Sequence, residues 1–126
     1  MTTSRLSEYT VDVDGCSVFT RSGGAARGAG TPSAQAGSDA DHDGTPFVLV
    51  HGAVISGRYM VPTASRLAAT RRVFVPDLPG FGDSVKPIRA PFDAPYFAGV
   101  LTAVLAAAGV EQAHVVGNSM GGRIGI

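Results

Sequence analysis

The sequence predicts an α/β fold, a mostly parallel sheet with helices on both faces and an antiparallel hairpin at its N-terminal end. Three observations lead there. Short runs rich in β-branched or apolar residues occur at Phe47 to Val50, Arg72 to Val75 and Ala113 to Val116, the length and character of strands covered on both faces. Segments with helical signals separate them. An alternating pair of segments precedes them. Strand and helix in alternation build a parallel sheet through right-handed crossovers, and ligands of such sheets collect beyond the C-terminal strand ends.

The elements follow in order. Glu8 to Val13 places Tyr9, Val11 and Val13 on one face, Cys16 to Thr20 resumes the alternation, and Asp14-Gly15 between them is a two-residue hairpin signal. Phe47 to Val50 leads into His51-Gly52-Ala53-Val54. A helix is expected to open near Ser56 to Arg58, with Pro62 early and Leu67, Ala68 and Ala69 late. Arg72 to Val75 closes at Pro76, before a turn-rich loop from Asp77 to Ser84 that lacks the lysine and spacing of a phosphate-binding loop. Pro95 opens the clearest helix, with Phe97, Val100, Leu101, Val104, Leu105 and Ala108 in one apolar stripe and Gly109 as its stop. Gly99 inside it costs about 1 kcal/mol relative to alanine.

Residues 22–45 have a different composition, mostly Gly, Ala, Ser and Asp with nothing apolar larger than alanine. Such a stretch buries too little to offset its ordering entropy, and a mobile insertion loop is expected there. Within it, Asp39-Ala40-Asp41-His42-Asp43-Gly44 copies the first half of a calcium-binding loop. The position that should hold a bidentate glutamate is Val50, Pro46 interrupts the middle, and no helix precedes Asp39, so no metal site is expected.

Bulk properties bound the function. The 126 residues make at most one domain, 44% hydrophobic and 16% charged, with ten basic residues against ten acidic. That balance gives no reason to expect nucleic acid or an anionic membrane as partner. No apolar leader or membrane-length run is visible, and the single cysteine, Cys16, reads as a small buried thiol in a strand. A cytoplasmic location is expected. Oligomeric state has no sequence signal.

The chemistry concentrates at Gly117-Asn118-Ser119-Met120-Gly121, a Gly-x-Ser-x-Gly pattern directly after a strand. A serine on so sharp a strand-to-helix turn is forced into a strained backbone conformation. Glycine is needed at 117 and 121 because a side chain there would strike the neighbouring strand or helix. The turn exposes the Ser119 hydroxyl and aims the Met120 N–H, at the start of the next helix, toward whatever Ser119 attacks.

Leu49-Val50-His51-Gly52, then Pro76-Asp77-Leu78-Pro79-Gly80-Phe81-Gly82-Asp83-Ser84, then Val116-Gly117-Asn118-Ser119-Met120-Gly121-Gly122 together resemble the α/β-hydrolase fold. The match runs from about Glu8 to the end of the chain. The Gly-Asn-Ser-Met-Gly-Gly variant is similar to that of serine-dependent carbon–carbon bond hydrolases and their esterase relatives. Haloalkane dehalogenases and epoxide hydrolases of this fold carry aspartate where Ser119 stands. The resemblance implies Ser119 as nucleophile, with Met120 and Ala53 supplying the two oxyanion-hole N–H groups. It implies His51 and Gly52 as residues shaping the loop that carries Ala53, and Asn118 as scaffold. No cofactor is implied, and the expected partner is a small-molecule substrate.

A serine nucleophile needs a general base and an orienting carboxylate, which in this family follow it in the order Ser, acid, His. Met120 to Ile126 contain no Asp, Glu or His. The sequence is therefore expected to be the N-terminal part of one hydrolase domain, inactive alone, with the acid and histidine in a missing C-terminal half. One rescue exists: His51, Asp77 and Ser119 stand at the ends of three strands in a His, Asp, Ser order that other folds use. It is disfavoured because His51 belongs to the oxyanion loop and Asp77 to a turn. The expected activity is cleavage of an ester, thioester or carbon–carbon bond by acyl transfer. The alternatives are a non-catalytic remnant of the fold, or an acyltransferase or cofactor-free haloperoxidase built on it.

Overall fold

The computed structural model describes residues 5–24, 44–87 and 89–125. Five strands form one mixed sheet: β1 (Ser7–Val13), β2 (Cys16–Gly23), β3 (Phe47–Val50), β4 (Val73–Pro76) and β5 (His114–Gly117). Their spatial order is β1-β2-β4-β3-β5. β1 and β2 form the expected hairpin, with pairs from Ser7↔Ser22 to Val13↔Cys16. Asp14 (φ 51°) and Gly15 (φ 85°) both take the left-handed conformation that a tight hairpin turn requires.

β2 runs past its expected end at Thr20 because its second half has a partner. Thr20 to Gly23 pair antiparallel with Pro76 to Val73 of β4. β4 and β5 both lie parallel to β3. Ser22 and Gly23 thus belong to the sheet, and the rest of the expected insertion lies almost wholly outside the described residues.

Alternation along the central strands sends side chains to two separate cores. Val48, Val50 and Phe74 face α2 (Ala94–Ala107) and α3 (Met120–Ile124), packing with Phe97, Leu101 and Ile124. Leu49, Val73 and Val75 face the other side and pack on Met60, Ala64 and Ala68, around α1 (Val61–Leu67). Val18 carries the first layer outward, under Val100 and Val104. Helices therefore cover both faces.

The helix expected near Ser56 forms in two pieces. Ser56 accepts from the Arg58 N–H and caps a 3-10 turn, Gly57–Met60, before α1 begins. Pro62 has no N–H to donate back to Arg58, and the turn before it closes instead through Val61 N–H to Arg58 O. α2 starts where Asp93 accepts the Tyr96 N–H at 2.9 Å. It ends at Gly109 (φ 76°), with Gly109 N–H on Ala106 O and Val110 N–H on Leu105 O, a Schellman closure. Of the stripe expected to be core, Phe97, Val100, Leu101 and Val104 are buried, while Leu105 and Ala108 form its half-buried margin. β5 pairs with β3 and presents Val115 and Val116 at 44% and 37% exposure.

Candidate active site

Three loops meet beyond the C-terminal ends of β3, β4 and β5. The turn after β5 is the tightest. Ser119 stands at φ 57°, ψ −113°, a region that a residue with a Cβ rarely occupies. Neighbouring hydrogen bonds hold it there: Asn118 N–H to Val50 O at 3.0 Å, Gly121 N–H to Asn118 O at 2.9 Å and Gly122 N–H to Ser119 O at 2.9 Å. A Cβ on Gly117 would lie 2.4 Å from Gly121 C, and one on Gly121 would lie 2.1 Å from Val50 O. Both approaches are backbone on backbone, so neither can yield. The Ser119 side chain makes no capping bond to α3 and is exposed.

The loop after β3 runs against this turn. A Cβ on Gly52 would sit 3.1 Å from the Asn118 carbonyl oxygen and 3.3 Å from Ser119 Cβ, which brings the two backbones side by side. Ala53 follows, exposed, and then Val54 at φ 69° and 92% exposure, a β-branched residue in the left-handed region. Among the described residues, the N–H groups of Ala53 and Met120 have no acceptor within the chain. Met120 follows Ser119 directly in the chain, and Ala53 follows Gly52, whose backbone runs beside the Ser119 turn.

His51 is fully buried and both its ring nitrogens are occupied. Nδ1 lies 2.7 Å from Gly52 O, and Leu78 N–H donates to Nε2 at 2.9 Å. Those partners require the neutral ring with its proton on Nδ1. Burial pushes its pKa below the ordinary value, which keeps the ring neutral. The Phe81 ring meets it edge-on at 5.3 Å. The alternative His51, Asp77, Ser119 constellation therefore fails on geometry, because neither nitrogen is available to a serine hydroxyl. Asp77 is committed as well. Its Oδ1 accepts from Arg21 Nη1 at 2.9 Å and from Gly57 N–H at 2.7 Å, and its Oδ2 from Asp83 N–H at 2.9 Å.

That carboxylate brings in Arg21, which no sequence motif pointed to. Arg21 is 4% exposed, its guanidinium lies over the Phe19 ring at 4.8 Å, and its Nε lies 3.8 Å from Glu8 Oε2. One weak signal was available: an arginine directly after the alternating stretch from Cys16 to Thr20. A recess of about 250 Å³ opens beside Met120, lined by Phe92, Ala94, Phe97 and Ile124 together with the charged Asp93 and Arg123. No cluster of three or more His, Cys, Asp and Glu suited to a metal occurs among the described residues, and Asp39 to Asp43 lie outside them. No helix among the described residues is long and apolar enough to cross a membrane.

A mixed sheet in this strand order, with a strained serine between two obligatory glycines directly after β5, defines a class. The chain belongs to the alpha/beta hydrolase fold family, whose model matches residues 45–126. It is similar to a 2-hydroxymuconate semialdehyde hydrolase of a Pseudomonas species, 37% identical over 89 residues, which covers 66% of this chain and 30% of that protein. A lipase 3 of a Moraxella species is 37% identical over 84 residues, with 66% of this chain and 26% of the relative covered. Among solved structures, a bacterial membrane phospholipase A described as a virulence factor matches with a TM-score of 0.76 at 33% identity, covering 94% of this chain and 33% of that one. The chain thus spans about a third of the length of the relatives it matches.

Proposed function

We propose that the full-length protein is a serine hydrolase that cleaves an ester, thioester or carbon–carbon bond by acyl transfer through Ser119. The observation that carries this reading is the backbone of Ser119, held at φ 57° between two glycines that tolerate no Cβ. Strain of that kind persists only where the surroundings impose it, and here it accompanies a serine exposed to solvent. The hydrolase relatives support the same chemistry.

In this scheme Ser119 Oγ attacks the substrate carbonyl and transfers its proton to a general base. The Ala53 and Met120 N–H groups hold the resulting oxyanion, the leaving group departs with that proton, and water then releases the acyl group from Ser119. The recess beside Met120 offers the acyl portion Phe92, Phe97 and Ile124 together with the charged Asp93 and Arg123. The base does not come from the described residues of this chain. His51 is occupied, and His114 opens β5, at the end of the strand away from Ser119. We assign the base and its carboxylate to the remainder of the family fold, of which this chain spans about a third. In the full-length protein, a fluorophosphonate probe is expected to label Ser119, and Ser119→Ala to abolish labelling together with turnover of an activated ester. Turnover that survives Ser119→Ala overturns the assignment.

A further inference from the structure

We propose that Arg21 on β2, together with Asp77, is the positioning device for the oxyanion loop, so that a residue three strands away from Ser119 controls how well the Ala53 amide is aimed. The inference rests on the serine-hydrolase reading for its catalytic consequence, but its structural part stands separately.

Loop 51–57 is anchored by two contacts to the loop after β4. Leu78 N–H donates to His51 Nε2 at 2.9 Å, at one end of the segment that carries Ala53. Gly57 N–H donates to Asp77 Oδ1 at 2.7 Å, at the other end. Both anchors belong to consecutive residues, Asp77 and Leu78, so the placement of that dipeptide sets the placement of the loop. Asp77 is in turn held from β2. Arg21 Nη1 binds the same Oδ1 at 2.9 Å, Asp77 N–H donates to Phe19 O at 2.8 Å, and Phe19 N–H donates at 2.7 Å to Ser84 Oγ, which itself donates to Asp77 O.

Two glycines close against the carboxylate, one at each oxygen. A Cβ on Gly57 would lie 2.7 Å from Asp77 Oδ1, and one on Gly82 would lie 2.2 Å from Oδ2. Asp77 is fully buried, and Arg21 is the cation that reaches its carboxylate. The sheet order β2-β4-β3-β5 puts Arg21 about 14 Å from β5 at the usual strand spacing. Arg21 therefore acts on the reaction only through Asp77 and the loop.

The test compares Arg21→Met, Arg21→Lys and the double variant Arg21→Met/Asp77→Asn, which removes both charges and keeps a folded protein in hand if the single variant does not fold. Amide hydrogen exchange at Gly57, Leu78 and Asp83 is expected to rise roughly tenfold more than exchange in the β3–β5 ladder, with Arg21→Lys intermediate. In the double variant the Asn carboxamide offers one acceptor where two N–H groups need two, so the local loosening is expected to persist. In the full-length protein, kcat is expected to fall roughly 10- to 100-fold with KM unchanged within about twofold, as for a misplaced oxyanion donor. Exchange that rises equally across loop and ladder, or a double variant with native loop exchange and native kcat, overturns the proposal. If turnover survives Ser119→Ala the serine reading fails, and the exchange comparison still decides whether Arg21 positions the loop.

Discussion

A single methyl group separates a tolerated glycine from an obligatory one in this chain. Gly99 lies mid-helix in α2, where an added Cβ would meet nothing within 4 Å, whereas Gly117 and Gly121 face backbone at 2.4 and 2.1 Å. Gly99→Ala is expected to stabilise the protein by about 1 kcal/mol, and Gly121→Ala to destabilise it by more than about 3 kcal/mol, both read from urea denaturation. Equal effects at the two sites would contradict the turn geometry. His51 gives a pH prediction of definite sign. Its folded pKa is depressed by burial, so below its ordinary value of about 6.5 the unfolded chain takes up a proton that the native ring refuses. Stability is therefore at its full value above pH 6.5 and falls as pH drops below it toward the folded value. His51→Asn is expected to flatten that part of a stability–pH curve.

Among the elements, α2 and β5 are opposites. α2 has a cap at each end and a buried stripe, and Asp93→Ala is expected to cost about 1 kcal/mol through loss of the 2.9 Å bond to Tyr96 N–H. β5 is an edge among the described residues, with two half-exposed valines on a strand of four residues. Such an edge templates pairing with another chain. The isolated chain is expected to self-associate with rising concentration, and Val116→Lys to suppress that association in sedimentation measurements. A monodisperse wild-type chain at high concentration would contradict the reading of β5 as an open edge. The periodicity of α2 was legible in the sequence because burial is decided by spacing along one helix. The split of the first helix at Pro62 was legible only as a warning, since the residue shows where the N–H is missing but not how tightly the preceding turn winds.

For the whole molecule, the same division of information decides activity. Ser119, the flanking glycines and the loop from His51 to Ala53 could be read as motifs, because each demands a particular backbone that few residues permit. With the base assigned outside the described residues, the 126-residue chain is expected to show no Ser119-dependent turnover of an activated ester, and a sample that does would overturn that assignment. The part of the site that could not be read was Arg21. Nothing along the chain links it to Asp77, 56 positions away, until β2 pairs with β4.

What the sequence alone determined is local: which stretches are strand or helix, which face of α2 is buried, and where a serine is forced onto a turn. These follow from side-chain period and from the few residues that tolerate a positive φ. Only the tertiary structure decided that β2 lies between β1 and β4, that both nitrogens of His51 are spent on the backbone, and that a buried arginine and aspartate meet at the anchor of loop 51–57. Those are outcomes of distance between residues far apart in the chain, and distance of that kind is set by the sheet order rather than by any residue's own preference.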